Sequence, residues 1–235
     1  MRMTEMTQIH LIGGDKGGVG KSLVARLLAQ YFIDHSIAFT GFDADRANGA
    51  LLRFYGGYAA PVQVDQYESL DTIVEAATRQ PERRILVDLA AQAGEPLARW
   101  MDESQLLAVA PELNLHIRYW HVMDSGRDSV ELLRQLLDQH QARLNYVLVQ
   151  NHLRDGDFGI FKASGLAARA QEYHAGMIEI GRLNDSTLNK IDAASSSFWA
   201  ATQDNDQATG LGVLERQRLK AWLQSAYAAI ATVTP

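Results

Sequence analysis

The 235-residue chain has no cysteine. That excludes disulfides, iron–sulfur clusters and thiolate-held metals, and with them the chemistries that depend on sulfur ligands. Lysine is scarce: there are five, and two of them fall inside one short loop. A formal net charge of −6 argues against a globally basic nucleic-acid binder and leaves room only for a local patch. No apolar run reaches the roughly twenty residues that a transmembrane helix needs. The opening MRMTEMT is too short and polar for a secretory signal, so the cytoplasm is the expected location. No internal repeat or linker interrupts the chain, and residues 1–235 are expected to form one large α/β domain with a substantial core.

Residues 13–22 read GGDKGGVGKS. Gly20-Lys21-Ser22 has the form of the end of a phosphate-binding loop, in which backbone N–H groups cradle phosphate oxygens. Lys21 is placed to reach the β- and γ-phosphates and the Ser22 hydroxyl to ligate Mg²⁺. The cradle would run through Gly17, Gly18, Val19, Gly20, Lys21, Ser22 and Leu23. Its context fits: Gln8 to Ile12 is an apolar strand candidate, and Ser22 to Phe32 carries apolar residues at helical spacing, so a helix N-terminus adds its dipole. Asp15 stands where this pattern usually has glycine, and an acid beside phosphates is unfavourable unless it points away.

Apolar segments predict strands at 8–12, 37–42, 84–89, 105–109, 115–122, 144–150 and 176–180. Helical spacing predicts helices near 21–33, 68–79, 95–101, 128–140, 161–173, 186–193 and 211–231. The alternation implies a doubly wound, mostly parallel sheet with helices on both faces, the α/β architecture of P-loop proteins. Residues 195–210 read as a long surface loop.

Three further segments carry chemistry. After the second strand, Asp43 and Asp45 sit where ligands bind in open α/β sheets, although the same residues could simply cap a helix. Arg84-Ile85-Leu86-Val87 leads into Asp88, and an aspartate at the end of a buried strand can hold a Mg²⁺-bound water and sense a γ-phosphate. Gln150-Asn151 closes a strong strand, where Asn151 is otherwise a turn residue.

Lys16, followed by two glycines, Val19 and Gly20-Lys21-Ser22, resembles the deviant Walker A loop of the ParA/MinD family of dimerising ATPases. The resemblance implies that two chains sandwich two ATP molecules, with Lys16 of one reaching the phosphates held by the other, as an arginine finger does. Slow hydrolysis would then act as a timer on an ATP-dependent homodimer, with a stimulating protein partner. By the same resemblance Asp45 positions or activates the attacking water, Asp43 supports the Mg²⁺ or the loop around it, and Asn151 contacts adenine. ATP is favoured over GTP because His152-Leu153-Arg154 lacks the guanine-reading signature. Asn48 matches the family's first switch, whereas Arg46 and Ala47 depart from it. Ala90 and Ala91 follow the third motif as small residues of a second switch.

Three clients are compatible with such a switch. A ParA-like partition ATPase would bind DNA non-specifically, through Arg216, Arg218 and Lys220 or through Arg79, Arg83 and Arg84. A MinD-like protein would insert a C-terminal amphipathic helix, and Leu219, Trp222, Leu223, Ala226 and Ile230 do share a face, but the tail lacks a basic anchor, so membrane is disfavoured. The chain also looks similar to TraL-type conjugation proteins, in Ile9-His10-Leu11 before the loop and in Glu215 to Lys220, which implies an accessory ATPase acting through a protein partner.

Overall fold

The computed structural model describes residues 6–46, 48–153, 156–204 and 207–234; the first five residues, Ala47, Arg154, Asp155, Asn205 and Asp206 (these two within the expected 195–210 loop) and Pro235 lie outside the described residues. Seven strands form one sheet: β1 (Thr7–Gly13), β2 (Phe39–Asp43), β3 (Ala59–Pro61), β4 (Arg84–Asp88), β5 (Leu115–Met123), β6 (Asn145–Asn151) and β7 (Gly176–Ile180). Their order is β3-β2-β4-β1-β5-β6-β7, and every neighbouring pair is parallel. Parallel strands need crossovers, which put helices on both faces and bury the strands on both sides.

The two faces are read directly from the pleat. Ile9 and Leu11 of β1 point into one apolar cluster, while Ile12 points into the other. The first cluster is covered by α3 (Tyr67–Arg79), α4 (Gly94–Glu103), α5 (Leu106–Val109), α6 (Arg127–His140), α7 (Gly159–Ala163) and α8 (Leu166–Glu172). The second is covered by α1 (Lys21–Asp34), α2 (Ala50–Tyr55), α9 (Asp185–Ala193), α10 (Phe198–Thr202) and α11 (Val213–Ala231). Strand order reverses at β1, which places the loop of residues 14–20 at the carboxyl edge where open α/β sheets bind ligands.

Three expectations need correction, and two short elements were not anticipated. Residues 105–109 are not a strand: Leu106–Val109 form α5, entered through a left-handed Gln105. A short apolar run does not distinguish buried helix from buried strand. The helix expected over 161–173 is broken into α7 and α8 at Gly165. The loop expected over 195–210 contains α10, whose start is capped by Ser197 Oγ accepting from Ala200 N at 3.2 Å. Strand β3 and helix α2 escape the periodicity altogether, being three and six residues long.

Candidate functional site

The loop between β1 and α1 wraps around its own lysine. Lys21 is the first residue of α1 and is nearly buried, and its Nζ donates to Lys16 O at 2.9 Å. Burial lowers the pKa of Lys21, against the opposing pull of Asp88, Asp15 and Asp45. Gly20, immediately before the helix, has φ 92°. A side chain there would be strained by that backbone angle and would also run into Asn151 Nδ2.

Asn151 packs beneath the loop. Its Nδ2 donates to Val19 O at 2.8 Å, while Oδ1 is buried without a hydrogen-bond partner. The side chain therefore braces the loop from within the end of β6.

The three aspartates behave differently. Asp43 Oδ1 accepts from Asp45 N and Oδ2 from Leu52 N, both at 3.0 Å. Helix α2 has no side-chain cap at Gly49, so Asp43 serves as its capping acceptor, the helix-start role that its position allowed. Burial raises its pKa, and the backbone hydrogen bonds oppose the rise. Asp45 accepts from Asn48 N at 3.0 Å and from Asn48 Nδ2 at 3.3 Å, which fixes the turn after β2.

Asp88 is fully buried at the end of β4, and neither carboxylate oxygen has a hydrogen bond of normal geometry. Burial, then the neighbouring Asp43, pushes its pKa up to about 7, while the Ser22 hydroxyl and the Lys21 ammonium pull the other way. An orphaned carboxylate beside a hydroxyl suits a hard divalent cation, and Mg²⁺ ordinarily takes one or two protein oxygens with phosphate and water completing its shell. Ser22 and Asp88 thus fit Mg²⁺, and Asp43, whose oxygens each accept one backbone N–H, stands beside them. Among the described residues no preformed group of three or more His, Asp or Glu could hold a metal without such outside ligands.

Lys16 lies in cis. Its Nζ is 3.0 Å from Asp124 Oδ2 and 3.8 Å from Asp128 Oδ2, both at the carboxyl edge beside β5. Burial tends to raise the pKa of Asp124, but hydrogen bonds from Ser129, Lys16 and Gly126 outweigh it and hold the carboxyl below its usual value. Sequence reasoning missed Asp124, although it follows the strand beside β1, the same signal that singled out Asp43 and Asp88.

The client surfaces are also altered. Leu219, Trp222, Leu223, Ala226 and Ile230 of α11 are buried in the core, and Trp222 Nε1 donates to Gly181 O at 2.6 Å. That face is therefore not a membrane anchor, and no helix among the described residues is long and apolar enough to cross a membrane. Of the basic groups, Arg216 meets Asp204 at 3.6 Å and Leu211 O at 2.5 Å, Arg79 pairs with Glu75, and Arg83 donates to Phe39 O.

No protein-family model matches the chain. It is 22% identical over 221 residues to protein MobD of Acidithiobacillus ferrooxidans, covering 93% of this chain and 94% of MobD. It is 26% identical over 234 residues to a TraL protein of Escherichia coli, covering 92% and 93%. Similar solved structures include an ADP complex of a nucleotide-binding protein from Archaeoglobus fulgidus, with 19% identity, TM-score 0.46, and coverage of 79% of this chain and 85% of that one. Another is an ATP complex of Cyanothece McdA, with 12% identity, TM-score 0.44, and coverage of 94% and 96%. The chain is thus similar along more than nine-tenths of its length to TraL and MobD, and its loop motif and parallel sheet order have the form of a P-loop fold.

Proposed function

We propose that this protein is an ATP-dependent switch, which binds ATP with Mg²⁺, pairs with a second copy of itself and hydrolyses the nucleotide slowly to position or partition DNA or another macromolecular cargo. The observation that carries the reading is the Asp88 carboxylate, buried without a hydrogen bond of normal geometry next to Ser22 and Lys21. A fold does not bury an unpaired carboxylate cheaply, and a bound cation with its phosphates would compensate it.

In this reading the N–H groups of Gly17 to Leu23 and the Lys21 ammonium hold the phosphates. Ser22 and Asp88 hold Mg²⁺, which when bound neutralises charge on the β- and γ-phosphates. Asp45, fixed by Asn48, orients a water whose oxygen attacks the γ-phosphorus as the bond to the bridging oxygen breaks and ADP leaves with the electron pair. Lys16 takes part only after it leaves Asp124, so assembly of the dimer exchanges an ion pair within one chain for contacts with the other chain's nucleotide.

A second reading concerns the client. Similarity to TraL and MobD runs along more than nine-tenths of the chain, and Arg79, Arg83 and Arg216 are occupied by partners of their own. Both observations favour an accessory ATPase of plasmid transfer that acts through a protein partner.

The test is the solution mass of wild type, Asp45→Ala and Lys16→Ala without nucleotide, with ADP–Mg²⁺ and with ATP–Mg²⁺. Dimer is expected only with ATP, accumulated by Asp45→Ala and lost in Lys16→Ala. A mass indifferent to nucleotide in all three would end the switch reading. DNA retention by the Asp45→Ala dimer then separates the two clients.

A further inference from the structure

Asp15 occupies the one loop position that departs from the phosphate-binding pattern, and it turns away from the phosphate side. Its Oδ1 accepts from Gly94 N at 2.8 Å, and its backbone oxygen accepts from Gln92 N at 3.2 Å. A single loop residue thus holds the segment that follows Asp88 at two points, 77 and 79 residues away in sequence, the first of them the left-handed Gln92.

Gly94 is the first residue of α4, and the preceding Ala93 provides no side-chain cap. A helix start leaves N–H groups unsatisfied and favours a nearby negative charge. Asp15 meets both needs from outside the helix. The contact also requires glycine at the other side, because a Cβ on Gly94 would collide with the Asp15 carboxylate. Asp15, Gly94, Tyr119, His121 and Met101 line a cavity of about 190 Å³ at the contact.

We infer that Asp15 is a positioning residue that couples the phosphate loop to α4, holding residues 89–94 at the distance from which their backbone can distinguish ATP from ADP. The inference rests on the nucleotide reading above and deepens it. A loop that closes on a β-phosphate but lacks this tie would bind both nucleotides without moving α4. With the tie, any adjustment of the loop to a γ-phosphate is passed to the helix through one side chain.

The test is the affinity for fluorescent mant-ATP and mant-ADP, with Mg²⁺, of wild type, Asp15→Gly, Asp15→Asn and Gly94→Ala. Asp15→Gly should leave mant-ADP affinity within about twofold and reduce the preference for mant-ATP about tenfold, a coupling of ordinary size. Asp15→Asn keeps a side-chain oxygen for Gly94 N and should restore the wild-type preference, whereas Gly94→Ala should behave like Asp15→Gly. A residue that merely stabilised α4 would lower the unfolding temperature and leave the preference unchanged, which overturns the inference. So would an asparagine variant that behaves like the glycine variant, because the effect would then be that of charge on Lys21. A wild-type chain that binds neither nucleotide refutes the nucleotide reading and the coupling together; equal losses of both nucleotides in the variants refute the coupling alone.

Discussion

Strand β4 begins with Arg84 and ends with Asp88, and the two ends of this five-residue strand sit in polar clusters of opposite sign. Toward the amino edge, at the middle of β1 between β4 and β5, His10 takes Trp120 Nε1 onto its Nδ1 at 3.1 Å. Burial, followed by Arg118, Arg84 and His116, holds its pKa well below the usual value, so it is neutral. Arg84 and Arg118 remain half-exposed, and Arg118 Nη1 donates to Val233 O. At the carboxyl edge Asp88 has neither outlet. It is fully buried, lacks a hydrogen bond of normal geometry, and ionises near neutral pH. The basic edge disposes of its charge by deprotonation and partial exposure. The acidic edge keeps its charge inside, next to a glycine-rich loop and a buried lysine, and that residual cost is the physical mark of the site.

The comparison is broken most severely at Lys21. Its ammonium donates to Lys16 O and faces Asp88, with no surface exposure to spare. Lys21→Ala should weaken ATP binding about 100-fold, roughly 3 kcal/mol, by removing charge-assisted bonds to phosphate. Calorimetric titration with ATP–Mg²⁺ checks it, and a loss below about threefold would deny Lys21 a phosphate role.

Asp88→Asn should divide the effects on stability and binding. The folded pKa of Asp88, about 7, lies above the ordinary carboxylate value of 3.8, so ionisation disfavours the fold increasingly as pH rises from about 4 through 7. The variant should therefore match wild type near pH 4 and exceed it by about 4 kcal/mol above pH 8 without nucleotide, since each pKa unit is worth about 1.4 kcal/mol. Its Mg²⁺-dependent gain in ATP affinity should fall at least tenfold, about 1.4 kcal/mol. Urea unfolding at the two pH values decides the first point. A variant less stable than wild type at pH 8 would mean that the carboxylate is a satisfied structural group.

Much of this arrangement was legible in the sequence because it depends on local pattern. A strand, a glycine loop and a helix are adjacent in the chain, and Asp43 and Asp88 end apolar runs, so the loop, the parallel sheet and the acidic edge could be anticipated. Long-range pairings could not. That Asp15 caps α4, that Lys16 turns to Asp124, and that Asn151 braces Val19 are contacts between residues 79 to 132 positions apart, and no spacing encodes them. The face of Leu219, Trp222 and Ile230 was ambiguous for a related reason: an amphipathic helix looks the same whether its apolar side meets lipid or a sheet. The break at Gly165 and the short α5 were lost because both are decided by a few residues whose propensities tertiary packing overrides.

The smallest expected effect sharpens the other side of the comparison. Arg118→Met keeps an apolar stem along β5, loses the bond to Val233 O and relieves repulsion from Arg84, which together with burial lowers the pKa of Arg118. A neutral acceptor bond is worth about 1 kcal/mol, and like-charge repulsion at a half-exposed edge is screened to a similar size, so stability should change by less than about 1 kcal/mol. Nucleotide affinity should stay within about twofold, a shift of some 0.4 kcal/mol, because the carboxyl edge is a strand's length away. The informative variable is salt. Wild type should gain more stability than the variant between low and high ionic strength, because only wild type has the Arg84–Arg118 repulsion to screen. Equal salt responses would mean that the two arginines do not oppose each other, and the amino edge would then be an ordinary polar rim whose contrast with Asp88 is one of exposure alone.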